Sequence, residues 1–381
     1  MLGALAVTLL AVDPPPHIAQ AIARVDPVRG PALIFDLDRI EANAQAVAAA
    51  ARAANVIALF AAKSFPHPAV RAIAGRVLGG FDVASPAELA DALRARPQVI
   101  SIADPTGAAI AAAITTAGRA RAIVSCETPE HVAAAPRNAA IAIRLSASAE
   151  GRDPAIGAAQ DGSGHRRSRF GLDVDPVRRR TSIVELVAAA AGRPVGLHVH
   201  LGPVIAGHTT RFVAVAHAAL ADAAGAGLEP AFLNLGGAWH GLADLPAALR
   251  ELRAAVPATI ELFIEPGRLY ADGAGFACGH VVAGRELDDR PLRVLDLSRT
   301  CHLRWSHPSL VGPAPAPRAG RAILWVGPTC YEEDVVGEWV ADPLRFGVGA
   351  RVVLRDVSGY ALGWNTGFGG IAPASVIALA S

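Results

Sequence analysis

The sequence predicts an α/β fold, a (β/α)8 TIM-like barrel followed by a C-terminal all-β domain. Three observations carry this prediction. Eight short apolar runs alternate with Ala/Leu-rich stretches of helical spacing, the alternation stops after Arg268, and the apolar runs end in polar residues or glycines. At 381 residues the chain is long enough for a barrel of about 250 residues and a smaller second domain.

Taken in order, the expected strands are Val56–Ala62, Gly80–Ala84, Gln98–Ala103, Arg121–Ser125, Ala140–Leu145, Val195–His200, Ala231–Leu235 and Glu261–Ile264. Between them, Pro86–Ala95, Ala108–Ala117 and Thr209–Ala224 are spaced as helices. Ala32–Leu37 and the helix-like Arg39–Ala54 form a lead-in to the first strand. An open doubly wound sheet would share this alternation. Ser146–Ser168, rich in Gly, Ser, Asp and Arg, is expected as a long mobile loop. Beyond Arg268, Gly279–Val282, Leu292–Leu297, Ala322–Val326 and Arg351–Arg355 are short β-type runs separated by Gly and Pro. The division that follows is 1–31, a segment joining the β domain; 32–268, the barrel; and 269–381, the β domain.

Composition narrows the class. Hydrophobic residues make up 52% of the chain, enough for a large core and incompatible with disorder throughout. A net charge of +1 argues against a nucleic-acid partner, because no basic excess is available to neutralise phosphates. Cys126, Cys278, Cys301 and Cys330 lie far apart without metal-ligand spacing, so no metal is expected and they read as reduced thiols of a cytoplasmic protein. Met1–Val12 is apolar, but the first arginine is Arg24 and Asp13-Pro14-Pro15-Pro16 makes a poor cleavage site. A buried strand or helix is expected there rather than a targeting segment. No later run reads as a membrane helix, since Arg, Asp and Gly interrupt each one.

Lys63 is the only lysine among 35 basic residues, the other 34 being arginines. Most surface roles tolerate either residue. A free amine that attacks a carbonyl does not, because guanidinium stays protonated. Lys63 closes the apolar run Val56–Ala62, so a chemical requirement is favoured over a chance surface lysine at a strand end. Other strand ends carry Asp82 with Ser85, Arg144, His200, Gly236-Gly237, and Glu265 before Gly267-Arg268. Barrel chemistry sits at the C-terminal ends of strands, so these residues converge on one mouth.

The chain resembles the fold-type III pyridoxal-phosphate (PLP) decarboxylases, the ornithine/diaminopimelate/arginine decarboxylase group. The stretches that carry the resemblance are Ala62-Lys63, Gly80–Leu89, Ser168-Arg169-Phe170-Gly171, His198-Val199-His200-Leu201-Gly202, Leu235-Gly236-Gly237, Glu265-Pro266-Gly267-Arg268, Gly327–Asp334 and Gly359-Tyr360. The resemblance implies an amino-acid α-decarboxylase that releases CO2 and an amine. Lys63 would hold PLP as a Schiff base and later carry protons. Glu265 would pair with the pyridine nitrogen and keep it charged, whereas alanine racemases of this fold type place an arginine there. His200 would stack on the ring. Gly236, Gly237, Gly267 and Arg268 would hold the phosphate, with Tyr360 as a hydroxyl donor. Asp82 and Arg144 would support the cofactor; a structural ion pair in the mouth is the other reading of these two. Cys330 would come from the partner subunit of a homodimer, close to the substrate carbon to be reprotonated.

Departures from the pattern bear on substrate. Diamine-forming members follow the cysteine with an acidic residue that grips a distal ammonium; here Tyr331 stands there, with Glu332 and Glu333 next to it. Losing such a charge-assisted hydrogen bond removes about 1.5–3 kcal/mol. Asp296 matches a second distal-amine contact and is retained. Pro203 replaces a serine that helps bind phosphate, and Ser64 stands where asparagine often follows the lysine. Arg299, Arg304 and Trp305 would recognise a carboxylate or an apolar group, or equally be surface charge on a hairpin. An atypical substrate is therefore expected; racemisation or other Cα chemistry, and a non-catalytic PLP-binding homologue, are the alternatives.

Overall fold

The computed structural model describes residues 13–113, 120–146, 169–173, 175–200, 209–242, 244–312 and 320–381. Met1–Val12, almost all of the Ser146–Ser168 loop, Ser168 of the Arg169–Gly171 motif, and Leu201, Gly202 and Pro203 lie outside the described residues. The chain begins with α1 (Pro16–Ala23), β1 (Ala32–Asp36) and α2 (Leu37–Ala53). It continues with β2 (Ile57–Ala61), α3 (Pro68–Val77), β3 (Gly80–Val83), α4 (Pro86–Arg94), β4 (Val99–Ile102), α5 (Ala108–Ala112) and β5 (Arg121–Cys126). Then come α6 (Pro129–Ala134), β6 (Ala140–Leu145), α7 (Pro176–Ala190), β7 (Val195–Val199), α8 (Thr209–Gly225), β8 (Phe232–Asn234), α9 (Leu245–Ala255) and β9 (Glu261–Ile264).

Strands β2 to β9 pair in parallel and close into an eight-stranded barrel, with β2 hydrogen-bonded to both β3 and β9. All eight expected strands are present, within two residues of their expected ends. Closure excludes the open doubly wound alternative. Inside the barrel, Leu59, Val99, Ile123, Ala140, Ala142, Phe232 and Phe263 form one buried cluster. At the strand starts, Arg121 lies over the rings of Phe232 and Phe263 and pairs with Glu261 at 2.6 Å. Helices enter by a repeated local signal. Ser85, Thr128, Asp175 and Asp244 each accept an N–H of the following turn through their side chains, and proline occupies N1 or N2. Capping satisfies an otherwise orphaned donor, and proline costs nothing where no intrahelical bond is due.

After β9 the remaining strands are β10 (Gly275–Leu287), β11 (Arg290–Leu295), β12 (Ser309–Val311), β13 (Arg321–Val326), β14 (Val335–Ala341), β15 (Arg351–Arg355) and β16 (Ser375–Leu379). They run in the order β12-β15-β10-β11-β13-β14. The first half of β10 pairs with β15 and its second half with β11, and a register shift between Val281 and Ala283 marks the change. Ala32–Leu37, expected as a lead-in to the barrel, behaves otherwise. Its five strand residues are buried on both faces as β1, antiparallel to β10 and parallel to β16. A strand with two apolar faces needs cover on both sides; on one, Ile34 packs with Ile18 and Ile22 of α1 and with Phe276 and Cys278, and on the other Phe35 meets the ring of Phe65. Two compact units result. One holds the described residues of Met1–Asn43, Phe65–Val70 and Tyr270–Ser381; the other holds those of Ala44–Ser64 and Arg71–Leu269. No helix among the described residues is long and apolar enough to cross a membrane.

In the β unit one carboxylate organises two turns. Asp334, nearly fully buried, accepts hydrogen bonds from the hydroxyls of Ser298 and Thr329 and from the N–H groups of Arg299, Thr300 and Thr329. Removing it strands several donors at once, and each buried orphan costs about 1–3 kcal/mol. Asp334→Ala is therefore expected to destabilise the β unit by about 3 kcal/mol or more, read as an earlier urea midpoint in tryptophan fluorescence. Trp305, Trp325, Trp339 and Trp364, four of the five tryptophans, report on this unit.

Candidate active site

Every barrel strand delivers a polar group to the C-terminal mouth. Lys63 follows β2 in a short 3-10 turn, and its Nζ donates to Asp82 Oδ2 on β3 at 2.8 Å. Asp82 is fully buried, whereas the lysine side chain is 38% exposed, so the amine is presented while its counterion is hidden. Ser101 lies on β4, Ser125 on β5, Arg144 on β6, His198 on β7 with His200 just beyond it, and Asn234 on β8. Register places them in layers: Ala61, Asp82 and Ser101 are cross-strand partners, as are Arg144, His198 and Asn234. Parallel register with a period of two brings such residues to one height inside a barrel.

Glu265, after β9, is the centre of this layer. Its Oε1 accepts from Asn234 Nδ2 at 2.6 Å and from Ser101 Oγ at 3.2 Å. Its Oε2 has His198 Nε2 at 3.8 Å and His200 Nδ1 at 3.9 Å, and no hydrogen bond among the described residues. Burial pushes the carboxyl up to about 8, and the charge of Asp82 adds to the rise. Burial also lowers His200 to about 4, helped by Lys63 and Arg144, and holds His198 well below the usual histidine range. Both shifts favour the neutral imidazole.

The glycine pair has a steric task. Gly236 adopts φ +61°, and a Cβ there would meet His200 Nδ1 at 2.5 Å. Its N–H donates to Asn234 Oδ1 and that of Gly237 to His200 Nδ1, so both donors expected to face a phosphate are engaged with side chains here. Arg144 and Asp82 do not pair with each other. Asp82 takes Lys63, while Arg144 stands 3.8 Å from Glu127 and lies over the ring of Phe170. Gly171 makes that stacking possible: at φ +82° its Cα packs against the Leu145–Ser146 backbone, where a Cβ would come within 2.4 Å. Arg268 begins a 3-10 turn directly after Gly267.

The remaining sequence-derived candidates belong to the β unit. Cys330 is exposed, and Tyr331 is half exposed with its ring 6.2 Å from Phe368. Asp296 Oδ1 accepts the His280 N–H at 2.7 Å, and its Oδ2 faces the His280 imidazole at 3.5 Å. Arg299 reaches the carbonyls of Leu303 and Ser306, which makes it a clamp on its own turn. Arg304 stacks on Trp364, and Trp305 contacts both Tyr360 and Trp364 from a left-handed backbone conformation.

Sequence reasoning missed Ser101, Ser125, His198 and Asn234. Each is a polar residue interrupting an apolar run of its strand, and that interruption was the available signal. Chemically, the mouth offers one amine beside a buried carboxylate and a second carboxylate open on one oxygen. It also leaves two buried polar atoms, Asp82 Oδ1 and His198 Nε2, without hydrogen-bond partners among the described residues. His198, His200 and Glu265 bring three ligating atoms within 4.8 Å, a spacing also compatible with a metal ion. The amine at the same mouth fits a carbonyl-bearing cofactor with a basic ring nitrogen better, since such a group engages both the lysine and Glu265.

Known proteins agree with this fit. The model of the family described as pyridoxal-dependent decarboxylase, pyridoxal binding domain, matches residues 37–272. Among curated protein sequences none matches the chain. The arginine decarboxylase of Paramecium bursaria Chlorella virus, bound to agmatine, superposes with a TM-score of 0.76 at 15% identity, covering 95% of this chain and 100% of that one. The lysine/ornithine decarboxylase of Vibrio vulnificus with cadaverine gives 0.74 at 19% identity, with 95% and 97% covered. Diaminopimelate decarboxylase of Helicobacter pylori with L-lysine gives 0.74 at 15%, with 95% and 94% covered. A family model that spans the barrel, over the same lysine and carboxylates that the mouth assembles, establishes that this chain belongs to the fold-type III PLP-dependent decarboxylases and is a carboxy-lyase with pyridoxal 5'-phosphate as its cofactor.

Proposed function

We propose that this carboxy-lyase acts as a homodimer on an α-amino acid whose side chain is not that of a simple diamino acid. The observation that carries this reading is Tyr331, an uncharged ring beside Cys330 where diamine-forming members of the family have a carboxylate. Asp296, the other distal-amine candidate, has one oxygen on the His280 N–H and the other facing the His280 ring. A basic amino acid is the second reading. It is supported by the agmatine, cadaverine and L-lysine bound to the structural neighbours, and by Glu332 and Glu333 next to Tyr331.

When bound, the cofactor supplies a sink for the electron pair left as CO2 departs. The chain's own residues prepare for it. Lys63 would attach the cofactor through Nζ and, once displaced by the substrate amine, hold a proton beside Asp82. Glu265 would accept the ring N–H at Oε2, the oxygen that Asn234 and Ser101 leave open. His200 would lie against the ring face, fixed at Nδ1 by Gly237. Because the Gly236 and Gly237 N–H groups are held by Asn234 and His200, the phosphate would rest on Gly267 and Arg268, and would reach the glycine pair only by displacing those bonds. Arg144, stacked on Phe170, would support the site electrostatically. Cys330 of the partner subunit would deliver the proton to the substrate carbon.

A panel of amino acids, both enantiomers included, tests the reading, with CO2 and new amines followed by mass spectrometry. Release from an apolar, aromatic or acidic substrate supports it, release only from lysine, ornithine or arginine favours the second reading, and Cα proton exchange without CO2 points to racemase chemistry. Lys63→Ala is expected to abolish borohydride-trapped cofactor; an adduct persisting elsewhere overturns the lysine assignment. Glu265→Gln should keep PLP bound and slow CO2 release by about 100-fold or more, since a neutral partner no longer favours a charged ring nitrogen. Mixing Cys330→Ala with Lys63→Ala subunits should restore part of the activity, and no recovery after confirmed subunit exchange would count against shared sites.

A further inference from the structure

His198 is the buried group for which the proposed reaction has no task. Its ring is almost completely buried, with Nδ1 2.7 Å from Ser125 Oγ and Nε2 without a hydrogen-bond partner among the described residues, 3.8 Å from Glu265 Oε2. A neutral imidazole carries one N–H, and the partner of one nitrogen decides what the other presents. On the neighbouring His200, Nδ1 accepts the Gly237 N–H with its one lone pair and so carries no hydrogen to offer Oε2. On the other oxygen of Glu265 the donors are already placed, since Asn234 is oriented by the Gly236 N–H on its Oδ1. Of the two nitrogens near Oε2, only His198 Nε2 is left to offer a hydrogen.

We propose that His198, held by the Ser125 hydroxyl in the tautomer that carries its hydrogen on Nε2, is a positioning residue that keeps Glu265 ionised and Oε2 turned toward the ring nitrogen of PLP. It acts through Glu265, and the inference rests on the reading of Glu265 as the ring-nitrogen partner. The other charged groups facing Glu265 act without direction. Asp82 on β3 disfavours the carboxylate, and Lys63 after β2 favours it. Arg144 on β6 bears on both imidazoles of the β7 end.

The apoprotein gives a readout that does not depend on turnover. The infrared carboxyl band that disappears in Glu265→Gln is followed against pH. In His198→Phe its titration midpoint should rise by about half a pH unit or more, because the N–H dipole that faces Oε2 from 3.8 Å is lost. In the loaded enzyme kcat should fall about tenfold with KM within about twofold, as for an interaction that matters only in the transition state. His198→Gln, whose amide can occupy the Nε2 position, should return both values most of the way, and Ser125→Ala should move the midpoint in the same direction by less. Should His198→Phe fail to fold, Ser125→Ala and His198→Gln carry the test. An unchanged or lowered midpoint in a folded His198→Phe or Ser125→Ala overturns the proposal, as does a His198→Gln no closer to the native enzyme than His198→Phe. Full kcat in Glu265→Gln sinks the ring-nitrogen reading instead, and the inference falls with it.

Discussion

A carboxylate removed from water must find donors or a proton, and Glu265 is the place where this barrel meets that constraint. Two donors, Asn234 on β8 and Ser101 on β4, hold one of its oxygens. They come from strands far apart in sequence, and only a closed parallel sheet sets them at one height. The second oxygen is bordered by imidazoles rather than filled. Burial raises the pKa of this carboxyl, and a cationic ring nitrogen beside it would favour the carboxylate. Asn234 ties the glycine turn to the same carboxylate, and the glycine turn in turn fixes His200.

The β unit repeats the logic with a different purpose. Asp334 gathers five donors from two turns, one carrying Thr329 and Cys330 and the other Ser298 to Thr300. Ser298 passes the restraint on, accepting from the Cys301 N–H while its own N–H meets His302. The network fixes Thr329, the residue before Cys330, and so anchors the turn that carries the thiol proposed to deliver a proton.

At 15–19% identity to the structural neighbours, the fold survives because it depends on pattern rather than on particular residues. Apolar strand interiors, capped helix starts and glycines at close approaches suffice for the barrel. The functional layer is less tolerant. Its members sit where one polar atom either completes a network or strands another.

How much of this was legible in the sequence follows from range. The eight strands, the helix that begins at Pro86, the uniqueness of Lys63 and the change to β-type runs after Arg268 are local signals, each set by a few neighbouring side chains. The sequence by itself therefore determined the alternation of strands and helices and the strand ends that bear chemistry, and its resemblance to a family implied the cofactor, while closure of the sheet into a barrel was decided in three dimensions. Tertiary structure alone decided that β1 joins the β sheet, since two buried faces can be satisfied by partners more than 200 residues away. It alone decided that Asp82 takes Lys63 rather than Arg144, and that Ser101, Ser125, His198 and Asn234 converge on Glu265. Hydrogen bonding acts over about 3 Å in space, whatever the separation along the chain, and no local pattern encodes which distant polar atoms a closed barrel will bring that close.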